Sequence, residues 1–247
     1  MPRDWDAETY DAIADPQFRW GAAVVDRLEL DGDETVLDAG CGSGRVTALL
    51  AERLSDGSVV ALDGSTSMLE TARRRLAPFG DRIRFVLADL MAPLPIDEPM
   101  DAVLSTATFH WVPDHAALFA HLAAVLRPGG RLVAQCGGAG NLATVVRALE
   151  ELGAAPFTGK VFATRERTEN RLRAAGFAQA ECWLHAEPTP FETLEGLETF
   201  MRTVVLRDHV GSMTDGDADE FAHAVATRLP RLELDYVRLN IDARLAG

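Results

Sequence analysis

One stretch constrains the fold more than any other: Val36-Leu37-Asp38-Ala39-Gly40-Cys41-Gly42-Ser43-Gly44-Arg45, an apolar run that breaks into glycines at alternate positions. It leads into Val46, Leu49, Leu50 and Leu54, spaced as the buried face of a helix. A strand, a glycine turn and a helix in that order open a nucleoside-binding α/β unit. A dinucleotide fingerprint needs a third glycine three residues after the second, where helix and strand pack closely. Counted from Gly40, that position is Arg45, and the pattern is instead G-x-G-x-G with Asp38 two residues ahead of it.

The same beat continues. "SVVALD" precedes "STSMLETARRRL", where Ser65 suits the N-cap and Met68, Leu69, Ala72 and Leu76 the buried face. "RIRFVLAD", "MDAVLST" and, after the helix "DHAALFAHLAAVL", "RLVAQCG" give three more strands. Such alternation predicts a doubly wound, mostly parallel sheet with helices on both faces. "AQAECWLHAEP" reads as a sixth strand and "LELDYVRLNIDAR" as a seventh, antiparallel one. The expected organisation is a single domain over 1–247: an N-terminal lid at 1–30, a cofactor-binding core at 31–140 and a helical substrate cap at 191–229 inserted before the last strand.

Formal net charge is −14, which repels a phosphate backbone and argues against nucleic acid as partner. Lys160 is the only lysine among 24 basic residues. No run of eighteen apolar residues and no signal-length apolar N-terminus occur, so no membrane partner and a cytoplasmic location are expected. Cys41, Cys136 and Cys182 form no CxxC pair and read as free thiols. His110, Asp114 and His115 are metal-ligating types, but Asp114 after Pro113 is better explained as a helix cap, so no metal is expected.

"VLDAGCGSG" resembles motif I of the class I S-adenosylmethionine-dependent methyltransferases, and the resemblance is strong over residues 35 to 136. It implies a Rossmann-like seven-stranded sheet with S-adenosyl-L-methionine as cofactor. The chemistry of the residues agrees: glycines let backbone approach a nucleoside, a helix N-terminus suits the cofactor carboxylate, and Asp38 suits its ammonium. Asp63, nineteen residues after Gly44, ends the second strand where a carboxylate can accept both ribose hydroxyls. By the resemblance Asp89 receives the adenine amino group, the backbone of Leu90 meets a ring nitrogen, and Met68 lines the adenine. Cys41, Gly64, Ser105 and Tyr10 of the lid complete the expected cofactor contacts.

"TFHWVPDH" at 108–115 follows the fourth strand and faces the methyl to be transferred. This loop, with "WDAETYDAIADPQFRW", resembles trans-aconitate methyltransferases and other small-molecule carboxyl methyltransferases. The resemblance implies a small acceptor bound near Gln17, Phe109, His110 and Trp111. His110 is the candidate general base, or else a residue that shapes the pocket or donates a hydrogen bond. Arg202 and Arg207 in the cap suit an anionic substrate. A carboxylate or other oxygen acceptor leads; C- or N-methylation of a biosynthetic or carrier-linked substrate and a non-catalytic cofactor sensor are the alternatives. The chain is expected to act as a monomer or homodimer.

Overall fold

A computed structural model describes residues 15–247, with side chains from Arg19 onward. Seven strands form one sheet in the order β3-β2-β1-β4-β5-β7-β6. The first five are β1 (Thr35–Ala39), β2 (Ser58–Asp63), β3 (Ile83–Leu87), β4 (Met100–Thr106) and β5 (Leu126–Gly137), all parallel. β7 (Glu233–Leu245) is antiparallel to both its neighbours and lies between β5 and β6 (Phe177–Pro190), which makes β6 the edge. The expected mostly parallel sheet with an antiparallel last strand is thus present. The insertion of that strand between two earlier ones is not visible in its sequence.

Alternation along the central strands decides which helices cover which face. Leu37, Val60, Leu62, Val103, Leu132 and Ala134 share one core, with Leu118, Phe119 and Leu122 of α4 (His115–Val125) and Leu172 of α6 (Arg165–Ala174). Val36, Val59, Ala61, Ala102, Leu104 and Val133 point the other way. They meet Val24 and Val25 of α1 (Asp15–Asp26), Leu50 of α2 (Arg45–Arg53) and Ala72 and Leu76 of α3 (Thr66–Leu76). Strands buried on both faces need helices on both faces, which is why they read as unbroken apolar runs.

The helix starts follow local chemistry. Ser65 Oγ accepts from the Met68 amide at 3.2 Å, and Asp114 Oδ1 accepts from Ala116 and Ala117 at 2.9 and 3.1 Å, so both expected caps are in place. Residues 127–130 loop out of β5: Met100 pairs with Leu126 and Ala102 with Arg131, leaving them outside the register.

A third core lies at the start of β7, around Leu234 and Tyr236. It joins α5 (Ala143–Glu151) to the helical segment between β6 and β7: α7 (Leu194–Phe200), a π turn at Met201–Val205, α8 (Arg207–Val210) and α9 (Asp215–Ala226). Trp20 of α1 enters this core and meets Tyr236 of β7 edge to face, ring centroids 5.2 Å apart. Among the described residues no helix is long and apolar enough to cross a membrane.

Candidate active site

The carboxyl ends of β1, β2 and β4 converge on the glycine turn, where open α/β sheets bind ligands. Gly40 has φ 85°, and a Cβ there would stand 2.3 Å from Thr108, so only glycine fits. Gly42 has φ 55° and no atom within 4 Å of where its Cβ would be, which leaves its face open to an approaching molecule. Gly44, at φ 82°, is the N-cap of α2, packed close to Ala72 and Leu76 of α3.

Two carboxylates organise this turn. Asp63 accepts from the Gly42 amide through Oδ2 and the Ser65 amide through Oδ1, both at 2.8 Å, and so ties the glycine turn to the start of α3. Burial raises its pKa against the pull of those amides. Asp38 is buried and accepts from Thr47 Oγ1 at 2.7 Å through Oδ2, while Oδ1 has no hydrogen-bond partner among the described residues. Desolvation first, opposed by Thr47 and reinforced by Asp63, pushes the Asp38 pKa up to about 7. A buried carboxylate oxygen with no partner among the described residues suits an ammonium group.

The other expected cofactor residues divide. Cys41 and Met68 are buried beside the turn, and Gly64 follows Asp63 in the loop to α3. Leu90 is buried and its carbonyl faces His121 Nδ1 at 3.2 Å, whereas Asp89 is exposed and accepts from the Met91 amide at 2.9 Å. The Ser105 hydroxyl donates to the Ala39 carbonyl at 2.7 Å, bracing β4 to β1 under the turn. Tyr10 lies outside the described residues, as does the side chain of Gln17.

A second feature adjoins the turn. A cavity is lined by Ala107, His110 and Trp111 after β4, Asn141 and Leu142 after β5, Lys160 and Phe162, Val204 and Val205 of the π turn, and Tyr236 and Arg238 of β7. Its cations are both buried. Arg238 lies over the Trp20 ring at 4.5 Å, with Nε donating toward Gln135 Oε1 at 3.4 Å. Lys160 Nζ is held over the rings of Trp111 and Phe157 at 4.4 and 4.3 Å and donates to the Val205 carbonyl at 3.3 Å. Its side chain is only 5% exposed, with Asp208 at 3.9 Å. Desolvation, partly offset by Asp208, lowers its pKa to about 8.

His110 is half-buried and accepts from the Gly137 amide through Nδ1 at 3.3 Å. Burial, then Arg238, Lys160 and His115, hold its pKa well below the usual histidine range, so the ring is neutral at pH 7. His115 turns Nε2 to the Phe109 carbonyl at 2.9 Å and Asp114 caps α4, so the two do not converge with His110 on a metal. Among the described residues no group of three His, Cys, Asp or Glu side chains could hold a metal ion.

Three residues expected on the acceptor side stand away from this cavity. Phe109 is 1% exposed and packs edge to face on Phe119 in the core beneath the cavity. Arg202 pairs with Asp215 and, at 2.8 Å, with Asp219 on the surface of the helical segment. Neither Arg202 nor Arg207 lines the cavity. Lys160 and Arg238 were missed as site residues, although each left a trace: a lone lysine between Phe157 and Phe162, and an arginine inside an apolar strand.

Comparisons with known proteins identify the family. A methyltransferase-domain family profile matches residues 36–130. Trans-aconitate 2-methyltransferase of Methylobacterium nodulans is 36% identical over 185 residues, 74% of this chain and 68% of that protein. The Methylobacterium radiotolerans enzyme of the same name is 39% identical over 53% of this chain, a match spanning about half (49%) of its own length. Phosphoethanolamine N-methyltransferase 2 of Haemonchus contortus shares the fold at 19% identity and a TM-score of 0.65, covering 98% of this chain and 57% of that one. The fold and the glycine turn thus define a class I S-adenosylmethionine-dependent methyltransferase, and the chain belongs to that family, in the trans-aconitate 2-methyltransferase group.

Proposed function

We propose that the chain transfers a methyl group from S-adenosylmethionine to a carboxylate oxygen of a small organic acid, with trans-aconitate the first candidate because relatives carry that name. The observation that carries the acceptor is the cavity itself: in a chain of net charge −14, it is lined by two buried cations, Lys160 and Arg238. Both cations line one cavity, so an anionic acceptor entering it meets positive charge, whereas a cationic one is repelled.

When bound, S-adenosylmethionine supplies a methyl group already activated on a sulfonium. The residues that would hold it are those of the glycine turn: Asp38 Oδ1 for the ammonium, Asp63 for the ribose and the open face of Gly42 for close approach. Lys160 and Arg238 orient the acid from the far side of the cavity. A carboxylate is a nucleophile without losing a proton, so the chain needs no base. Its contribution is alignment and exclusion of water, for which the helical segment carrying Val204 and Val205 acts as a cap.

The test is turnover of labelled S-adenosylmethionine against mono-, di- and tricarboxylates, phenols and amines, with the product identified as an ester. Transfer to a phenol or amine in preference to every acid removes the carboxylate reading. Cofactor binding with no transfer to any acceptor removes the enzymatic one.

A further inference from the structure

The imidazole of His110 sits where a base would be expected, yet its hydrogen bonding leaves it unable to serve as one. The Gly137 amide donates to Nδ1 at 3.3 Å, so Nδ1 carries the lone pair and not the proton. In a neutral ring the proton is then on Nε2, the nitrogen left for the cavity that His110 lines. Phe162 stacks on the ring with centroids 6.1 Å apart, Trp111 leans on it at 5.4 Å, and the Val161 amide donates to the His110 carbonyl at 2.8 Å. Position and tautomer are fixed together. The charged and titratable groups facing it are Arg238 from β7, Lys160 from the loop before α6 and His115 from α4, all opposed to a second proton.

We propose that His110 is a fixed N–H donor that orients the acceptor carboxylate, and that it takes no proton during turnover. This rests on the carboxylate reading for its ligand, but the state of the ring does not. An oxygen of the acid accepts from Nε2–H while the attacking oxygen is left free to meet the methyl. The lone pair on Nδ1 is occupied by Gly137, so the face toward the substrate offers a hydrogen and no basic site.

Two measurements test it. Nitrogen NMR of the full chain labelled at histidine, with the His110→Gln variant identifying the signal, should give a protonated Nε2 and a bare Nδ1 unchanged between pH 6 and 8. A bare Nε2, or a ring that takes a second proton in that range, overturns the proposal whatever the acceptor is. In turnover of the preferred acid, His110→Ala should cost ~10- to 10²-fold in kcat/KM, as for a lost hydrogen bond to a charged group, mainly through KM. His110→Gln offers an N–H without a base and should recover most of that loss. Equal inactivity of the Gln and Ala variants, with S-adenosylhomocysteine binding intact in both, also overturns it. Failure of the carboxylate reading is distinct: the parent protein would then methylate a phenol or amine in preference to every acid.

Discussion

The two halves of the active site are built in opposite ways. The candidate cofactor half centres on one segment, Asp38 to Met68, and the charged groups that organise its glycine turn, Asp38 and Asp63, are carboxylates. The acceptor half is gathered from five separate places between Ala107 and Arg238, and its charges are cations. The first is held by backbone amides on side-chain oxygens, as at Asp63, and the second by rings stacked on cations, as at Lys160 and Arg238. Opposite signs on the two sides of one reaction centre suit a cationic donor and an anionic acceptor.

The sharpest way to break this division is Gly40→Ala. The new Cβ meets Thr108 at 2.3 Å from a left-handed φ, and Thr108 belongs to the loop leading to the cavity. Strain of about 3 kcal/mol predicts a loss of S-adenosylmethionine affinity of ~10²-fold, with weakened acceptor binding as well. Calorimetric titration measures the first and KM the second. Lys160→Met should act on one half only, raising KM for the acid ~10-fold or more while the cofactor Kd stays unchanged.

Proton linkage should separate the halves again. The Asp38 carboxyl is protonated below about pH 7 in the free protein, whereas an ammonium ligand needs the carboxylate, so cofactor affinity falls as pH drops through 7. Without ligand the sign is reversed: this group's contribution to stability is present at acid pH and is lost as pH rises from its ordinary range to about 7. Asp38→Asn should flatten both profiles, read by titration and by melting. At the other half, Lys160 loses its charge near pH 8, so KM for the acid should rise above that pH in the parent and not in Lys160→Met. The smallest effect is expected at Asp114→Ala, which removes the cap of α4 outside both halves and should cost about 1 kcal/mol in stability with little change in Kd or KM.

The same division explains what the amino-acid order revealed. The glycine spacing, Asp38, Asp63 and the caps Ser65 and Asp114 act over a few residues, so their geometry is written in local order. Lys160 meets Trp111 and Phe157 only because loops fold over the sheet, and no periodicity encodes that. Arg202 is the converse: an arginine on a helical face looked free for an anion, but Asp215 and Asp219 of α9 already hold it. Phe109 read as pocket wall because its neighbours are; the turn at Phe109–Trp111 sends it to the core and His110 to the cavity.

The placement of β7 between β5 and β6 sets an order of assembly on the ribosome. β1 to β4 and their helices are complete in the chain by residue 125. β6 has no neighbour to pair with until residues 233–245 arrive, and Arg238 comes with them. In chain order the residues of the glycine turn therefore come long before the last residues that line the cavity.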